Sequence, residues 1–455
     1  MSCTAGRLVE LMYSSKLANL FKEKRVAIGD TIRVEKADFA IEGELMPNTE
    51  AGSDSSIIVK MKSGYNAGIL FDDKVRLEKV SGRKTKSEFP FAKPKADSKL
   101  PKVVIIWTGG TIGSKVAYGE GGVESTVKPE ELFYYVPELP EIANISMNHL
   151  FSVWSQDLTY TEWQKLADAV AKEINAGARG VVITHGTDTM HYTAAALSFM
   201  LKNLNAPVVL TGSQRSSDRG SSDAFLNLIA ATRIAAGSDI AEVGICMHAS
   251  SSDDKMAFIR GTKARKMHTS RRDAFRAIND KPIAYVTLDG KIAYVGDYRK
   301  IGKSSAKVRA ETKFEPLVAL LKTHPNSDPE VMQYYLEKGY RGFIIEGTGL
   351  GHTPIDVAHE GRSWLPHIKS AIGESAVVGM TSQTIYGRVH PNVYAPLRVL
   401  NNAGVVFCED MTPETAYVKL GWLLGNYDNE RAKELLNKNI AGEINDRITY
   451  DEFLL

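Results

Sequence analysis

Cysteine is scarce: Cys3, Cys246 and Cys408 are the only three in 455 residues. They are odd in number, widely separated and include no C-x-x-C pair. That pattern argues against a disulfide framework or a zinc ribbon and for a reducing compartment. No run approaches the roughly 18 apolar residues that a membrane span needs. The opening stretch, MSCTAGRLVELMYSSKLANLFKEKR, lacks the basic flank, apolar run and small-residue cleavage site of a signal peptide. A cytoplasmic protein is expected. An excess of either charge is also missing, with 56 basic against 54 acidic residues and a formal net charge of +2. Such a balance gives no overall drive toward nucleic acid or membrane, so any such role needs a local patch. No G-x-S-x-G or G-x-C-x-G elbow occurs, which leaves a serine hydrolase or a cysteine-triad glutaminase unsupported. The ten histidines form no H-E-x-x-H or H-x-H, and His185 and His191 fall off a shared helical face, so no metal is expected. Neither G-x-G-x-x-G nor G-x-x-x-x-G-K-[ST] is present, and no nucleotide or other cofactor is expected in this chain.

What is present is ordinary globular composition, 43% apolar, 24% charged and 8% aromatic, in a chain long enough for two or three domains. Residues 26–80 read as about five short alternating strands: Val26–Val34, Ile41–Met46, Ser56–Met61, Ala67–Phe71 and Val75–Val80. Turns rich in Gly, Asn, Asp and Ser separate them, as in a small antiparallel β-barrel of the SH3 or Sm-like kind. Such a barrel has no room for a deep active site, and its usual employment is binding. Residues 81–102 carry seven Lys or Arg against two acids, with three prolines and no apolar period. This is a linker, read as a solvated tether or, more sharply, as a contact for a phosphate backbone.

From residue 101 the pattern becomes strand–helix alternation, that of a parallel α/β domain ending near residue 298. Val103–Trp107, Gly180–Thr184 and Pro207–Thr211 are continuous apolar runs, the mark of strands buried on both faces. Trp163, Leu166, Val170 and Ile174 share one face of a helix opened by a capping box from Thr159 to Glu162. Residues 191–203 and 223–236 are further helix candidates. Cys246 lies in an expected strand, Gly244–His248, and reads as core packing. A third unit starts near residue 313. There Ser327 and Glu330, with Pro329 between and Gly339 after, bracket a helix. Gly342–Ile345, Ala376–Met380 and Gly404–Phe407 are buried strands, and Thr412-Pro413 opens a helix through Leu424.

Ligands of open parallel sheets bind beyond the carboxyl ends of the strands. Thr108-Gly109-Gly110-Thr111-Ile112-Gly113 follows the first run, His185-Gly186-Thr187-Asp188-Thr189-Met190 the second, and Thr211-Gly212-Ser213-Gln214-Arg215 the third. Adjacent glycines let backbone N–H groups face one small anion and leave the Thr111 hydroxyl unobstructed. Asp188, near a helix start, is placed to grip an ammonium. Each turn alone is weak, and the three together suggest nucleophilic chemistry in one pocket.

The segments TGGTIGS at 108–114, SQD at 155–157, HGTDTM at 185–190 and LTGSQR at 210–215 resemble the L-asparaginase/glutaminase family in order and spacing. Gly261–Thr269 followed by Asp273-Ala274-Phe275 fits its later lysine segment. The likeness covers about residues 101–455 and implies a two-domain asparaginase-like α/β body behind the barrel. The expected divisions are then 1–100 (barrel about 26–80, linker 81–100), 101–298, an interdomain linker 299–312, and 313–455. By that resemblance Thr111 is the primary nucleophile, on a mobile loop continuing through Tyr118. Thr187, Asp188 and Lys266 form a second catalytic group. Gly110 and Tyr118 join the substrate-binding residues, and Ser155 and Asp157 hold the substrate α-carboxylate and α-amino groups with help from Asp188. The chemistry is coherent without the analogy. A threonine hydroxyl is a poor nucleophile, a buried lysine of lowered pKa can take its proton, and a carboxylate can position that lysine. Glycine-loop N–H groups stabilise the oxyanion. The nine residues from Lys266 to Phe275 match the family's spacing, so the resemblance favours Lys266. Lys263 and a merely solvated basic face of Arg260, Lys263, Arg265, Lys266, Arg271, Arg272 and Arg276 are the alternatives.

Barrel and linker depart from plain asparaginases and, with Tyr386–Tyr394, are similar to the D-subunit family of archaeal glutamyl-tRNA(Gln) amidotransferases. That likeness implies a glutaminase or asparaginase component whose ammonia passes to a partner subunit amidating Glu-tRNA(Gln), with ATP and Mg on the partner. It also implies a homodimer of the asparaginase body within a heterotetramer. A free-standing L-asparaginase and a catalytically retired scaffold module are the competing readings.

Overall fold

The computed structural model describes residues 13–36, 39–46, 55–61, 66–82, 97–110, 114–116, 123–125, 136, 138–215, 222–303, 306–356 and 362–453. By contacts the chain divides into two compact units. One holds Met1–Lys95 with Thr111–Val136 and Ser213–Phe225; the other holds Ala96–Gly110, Pro137–Gly212 and Leu226–Leu455.

The first unit contains β1 (Thr31–Lys36), β2 (Phe39–Leu45), β3 (Ser56–Met61), β4 (Asn66–Leu70) and β5 (Arg76–Ser81). These five antiparallel strands form one sheet in the order β4-β3-β2-β1-β5. The last strand returns beside the first, pairing Val34 with Leu77. Val26–Asp30 is not strand, although the sequence reads as one from Val26. Asp30 Oδ2 accepts the Ala27 N–H at 2.7 Å, and Gly29 has φ +91°, so the chain turns before β1. A helix unforeseen in the sequence, Ser15–Glu23, precedes the sheet and buries Leu17, Ala18 and Phe21. Leu17 and Phe21 join Tyr13, Ile32, Val34, Leu45, Ile57, Val59, Ile69 and Leu77 in a core drawn wholly from residues 13–77. A short hairpin of β7 (Ser114–Val116) and β8 (Val123–Ser125) also belongs to this unit. The middle of the basic stretch, 83–96, lies outside the described residues.

The second unit holds an eight-stranded and a four-stranded sheet. The first comprises β6 (Lys102–Trp107), β9 (Asn144–His149), β10 (Gly180–Thr184), β12 (Val208–Thr211), β13 (Val243–His248), β14 (Lys255–Arg260), β17 (Ala284–Thr287) and β18 (Ile292–Tyr294). Their order is β18-β17-β14-β13-β12-β10-β6-β9. The five strands from β9 to β13 are parallel, as the apolar runs foretell. The sheet is not parallel throughout: β14, β17 and β18 add on antiparallel. β11 (Leu201–Lys202) pairs with β19 (Arg309–Ala310), inside the 299–312 stretch, and β15 (Ala264–Lys266) with β16 (Phe275–Ala277). The second sheet, β20 (Val318–Lys322), β21 (Gly342–Gly347), β22 (Val377–Ser382) and β23 (Val406–Phe407), is parallel.

Helix Tyr160–Asn175 carries the expected capping box and buries Trp163, Leu166, Val170 and Ile174. Cys246 is fully buried in β13. Helix Glu330–Glu337 begins after Pro329 with no side-chain cap. Ser327 instead accepts a hydrogen bond from the Trp364 indole at 3.1 Å. Thr412 does cap Pro413–Asn426, its hydroxyl accepting the Thr415 N–H. Among the described residues no helix is long and apolar enough to cross a membrane.

Candidate active site

From β6 the chain passes to β9 on one side, and from β10 to β12 on the other. Adjacent strands whose connections depart in opposite directions leave a crevice at their carboxyl ends, where α/β sheets bind ligands. Backbone fills the floor of that crevice closely. A Cβ on Gly110 would stand 2.6 Å from Gly186 N, one on Gly186 would stand 2.7 Å from Ser155 Oγ, and one on Gly212 would stand 2.4 Å from the His185 carbonyl oxygen. The three glycine turns therefore meet, as the sequence suggests, and Gly110 adds φ +85°, a conformation that disfavours any side chain. Hydroxyls lock the strand ends: Thr108 donates to the Thr184 carbonyl at 2.6 Å, and Thr211 to that of Cys246 at 2.9 Å.

Thr187 and Asp188 follow β10 directly, just ahead of helix Met190–Met200. Lys266 Nζ donates to Thr187 Oγ1 at 2.9 Å and to Asp188 Oδ1 at 2.7 Å. The threonine is buried, the lysine side chain is 9% exposed, and Asp188 is 66% exposed. A buried hydroxyl, an ammonium and an outward-facing carboxylate thus form one chain from interior to solvent. Ser155 is buried in the 3-10 turn Ser155–Asp157, next to Gly186, and its carbonyl accepts from Thr189 Oγ1 at 2.7 Å. Asp157 is exposed on that turn. Thr111 and Tyr118 lie outside the described residues.

Lys263 is elsewhere. Its ammonium is 0% exposed and paired at 2.7 Å with Asp410, itself 0% exposed. The other members of the basic run have partners too: Arg260 with Glu242, Arg265 with Glu414, Arg271 and Arg276 with Asp273, and Arg272 with Asp253. The run is therefore a set of paired cations, of which Arg271 alone is more than half exposed. Spacing along the sequence could not show this, because Asp410 and Glu414 lie 147 and 149 residues from their partners.

His185 has a place that its motif alone does not reveal. Its Nδ1 is 2.6 Å from the Gly186 carbonyl, which can only accept, so Nδ1 carries the proton. Its Nε2 then accepts from Thr193 Oγ1 at 2.9 Å, and Thr193 in turn accepts from the Trp163 indole at 3.0 Å. This relay fixes a neutral imidazole under the turn that presents Thr187. Burial pushes its pKa down from 6.5 to about 4, against the opposing pull of the Gly186 carbonyl. His191 is brought to about 4 chiefly by burial, with Glu414 opposing and Arg265 and Lys266 adding to the shift.

The chain is similar to known proteins along nearly all its length. Residues 102–298 match the family model described as asparaginase, N-terminal, residues 317–436 that of the glutaminase/asparaginase C-terminal domain, and residues 26–80 that of the GatD N-terminal domain. The glutamyl-tRNA(Gln) amidotransferase D-subunit from Pyrococcus horikoshii is 48% identical over 446 residues, spanning 96% of this chain and 100% of that one. Its namesake from Methanothermobacter thermautotrophicus is 43% identical over 445 residues, spanning 97% and 100%. Among solved structures, the thermostable L-asparaginase from Thermococcus kodakarensis matches with a TM-score of 0.68 at 31% identity, covering 76% of this chain and 100% of its own. L-asparaginase I from Vibrio cholerae matches at 0.66 and 29% identity, covering 76% and 99%. Aligned over 96–97% of its length with these relatives, and carrying an N-terminal module in addition to both asparaginase domains, the chain belongs to the D-subunit family of glutamyl-tRNA(Gln) amidotransferases.

Proposed function

We propose that this chain is the amide-hydrolysing component of a tRNA-dependent amidotransferase, freeing ammonia from the side chain of Gln or Asn for a partner subunit that converts Glu-tRNA(Gln) to Gln-tRNA(Gln). The observation that carries this reading is the ammonium of Lys266 bonded at once to Thr187 Oγ1 and Asp188 Oδ1. A hydroxyl acts on an amide only when its proton has somewhere to go. Lys266 relays it, releasing one of its own protons to Asp188 at 2.7 Å as it accepts the threonine's, and Asp188 holds Lys266 in line.

A threonine oxygen adds to the amide carbon, and Thr111 takes this part by its place in the TGGT motif. The C–N bond then breaks as the nitrogen gains a proton and leaves as ammonia. Water, deprotonated through Thr187 and Lys266, releases the acid from the acyl-threonine. Backbone N–H groups of the close-packed glycine turns face the developing oxyanion. Ser155 and Asp157, with Asp188, take the substrate's α-carboxylate and α-amino groups. ATP and Mg serve the activation step on the partner, and the asparaginase body pairs with its own copy within the assembly.

The solved L-asparaginases favour a second reading, a free-standing asparaginase, since they match 76% of the chain. The match of residues 26–80 to the GatD N-terminal domain weighs against it. A retired scaffold has no need of Thr187, Asp188 and Lys266 assembled together. Ammonia release from Gln and from Asn, measured with and without the partner and Glu-tRNA(Gln), tests the proposal. Turnover that ignores partner and tRNA would favour the free-standing enzyme, and none under any condition would leave the scaffold.

A further inference from the structure

Lys266 stands on an unusually slight support. β15 has three residues and pairs only with β16, and a two-stranded ribbon alone is marginally stable in water. Its turn is tied internally, where Asp273 takes Arg271 Nε at 2.8 Å and Arg276 Nη2 at 2.8 Å. Nothing in that tie fixes the direction of Lys266.

The direction is set from the other domain. Neighbours on an extended strand point to opposite faces, so Arg265 and Lys266 leave β15 on opposite sides, while Lys263 lies in the turn just before the strand, its N–H bonded to the Arg260 carbonyl at 3.0 Å and its own carbonyl accepting the Ile278 N–H at 2.8 Å. Lys263 pairs with Asp410 and Arg265 with Glu414, each through an N–O distance of 2.7 or 2.8 Å. Both carboxylates sit where the chain leaves β23 and enters helix Pro413–Asn426. Backbone joins in: Thr415 Oγ1 donates to the Thr262 carbonyl at 2.9 Å, and Asn279 Nδ2 to that of Asp410 at 3.0 Å. Asp410 also accepts the Asn445 N–H at 3.2 Å. The turn before the strand and the strand's Arg265 face are gripped, and the opposite face delivers Lys266 to Thr187.

We propose that Lys263 and Arg265 are positioning residues, which through Asp410 and Glu414 of the C-terminal domain aim the Lys266 ammonium at Thr187. This rests on the reading of Lys266 as the proton-exchanging group. Misplacing a catalytic group by about 1 Å costs on the order of 100-fold in rate. Substrate binding, which uses other segments, is spared by the same displacement.

The test is made on the full-length chain with its partner. Lys263→Met/Asp410→Leu removes both buried charges together, so neither is stranded. The expected result is a cooperative melt, KM within about threefold of the parent, and kcat lower by roughly 10–100-fold. Arg265→Met/Glu414→Gln probes the half-buried pair and should show the same split if the first variant does not fold. Parental kcat in a folded variant overturns the proposal, as does a KM rise at constant kcat. Failure of both to fold overturns it too, since the pairs would then hold the fold and not the aim. Lys266→Met is run alongside: if it turns over normally, the reading of the site has failed, whereas if it is inactive and both pair variants are normal, only this inference has.

Discussion

Lys266 meets Asp188 at 2.7 Å across 78 residues of sequence, and only the lysine end of the pair is buried. A fully exposed pair would wander and a fully buried one would be closed to substrate. Here the ammonium is shielded beside Thr187 while the carboxylate reaches solvent.

Thr187→Val nearly preserves volume and removes the hydroxyl that Lys266 contacts. Amide hydrolysis should fall by roughly three orders of magnitude or more, with the melting temperature little changed. Thr111→Val should lose turnover comparably. Ammonia release and thermal melting measure both, and near-normal turnover in either would sink the two-threonine mechanism.

Lys266→Met and Lys263→Met should fail in different ways. The first abolishes turnover in a folded protein. The second strands Asp410, which is 0% exposed, and should cost about 3–5 kcal/mol of stability. Urea midpoints and kcat, measured together, separate the two outcomes. A stable Lys263→Met that is more impaired in turnover than Lys266→Met would reverse the assignment.

Acid should loosen the fold through its histidines before its carboxylates. His185 and His191 have folded pKa values near 4 against 6.5. The unfolded chain therefore binds more protons between those limits, and stability is full above 6.5 and lost as pH falls toward 4. The loss is about 3 kcal/mol for each histidine. Burial opposes the charge on Glu162, but bonds from Thr159, Thr161 and Lys165 bring it to about 2, and Arg271, first, with Arg276 brings Asp273 to about 2. Those carboxylates withdraw their stability only below about pH 4.5, on the way to 2. Urea titrations between pH 7 and 4 should show a shallower decline for His185→Asn than for the parent. Identical slopes would remove His185 from the account.

Gly110→Ala and Gly177→Ala form a matched pair. Both glycines have positive φ, +85° and +90°, but the added Cβ would stand 2.6 Å from Gly186 N in one and meets nothing within 4 Å in the other. Gly177→Ala should cost about 1–2 kcal/mol from its backbone angle alone and leave turnover intact. Gly110→Ala should cost more and suppress ammonia release, because the strand-end turns must separate. Equal effects would mean that the close approach is not required.

Deleting residues 1–100 should leave a folded amide hydrolase and weaken amidation of Glu-tRNA(Gln) in the presence of the partner. The five-stranded sheet has a core drawn wholly from residues 13–77, as expected of a module with a separate task. Equal amidation by both chains would remove that task, and lost hydrolysis would make the segment part of the catalytic fold.

The sequence is informative where burial is uniform or periodic. β6, β10 and β12 show as unbroken apolar runs, and Thr159 with Glu162 marks a helix start within one turn of chain. The three glycine turns follow from those runs by a geometric rule. Strands β17 and β18 are hidden because they run to only four and three residues, and the antiparallel placement of β14 is settled by neighbours already in the sheet. Helix Ser15–Glu23 has helical spacing in Leu17, Leu20 and Phe21, but nine residues make a short window for that period to stand out. Asp410 and Glu414 carry no local sign at all. A buried carboxylate looks like any other until the distant cation that neutralises it is known.

The grip on β15 from Asp410 and Glu414 also bears on how this protein can be divided. Residues up to 298 contain Thr187, Asp188 and Lys266, and a fragment ending there would look chemically complete on paper. It would lack both anchors of its lysine ribbon. A nick in the 299–312 connection should leave two pieces that are inert apart and regain turnover on mixing, whereas a chimera keeps its activity only when residues 262–279 travel with the 408–415 segment that anchors them.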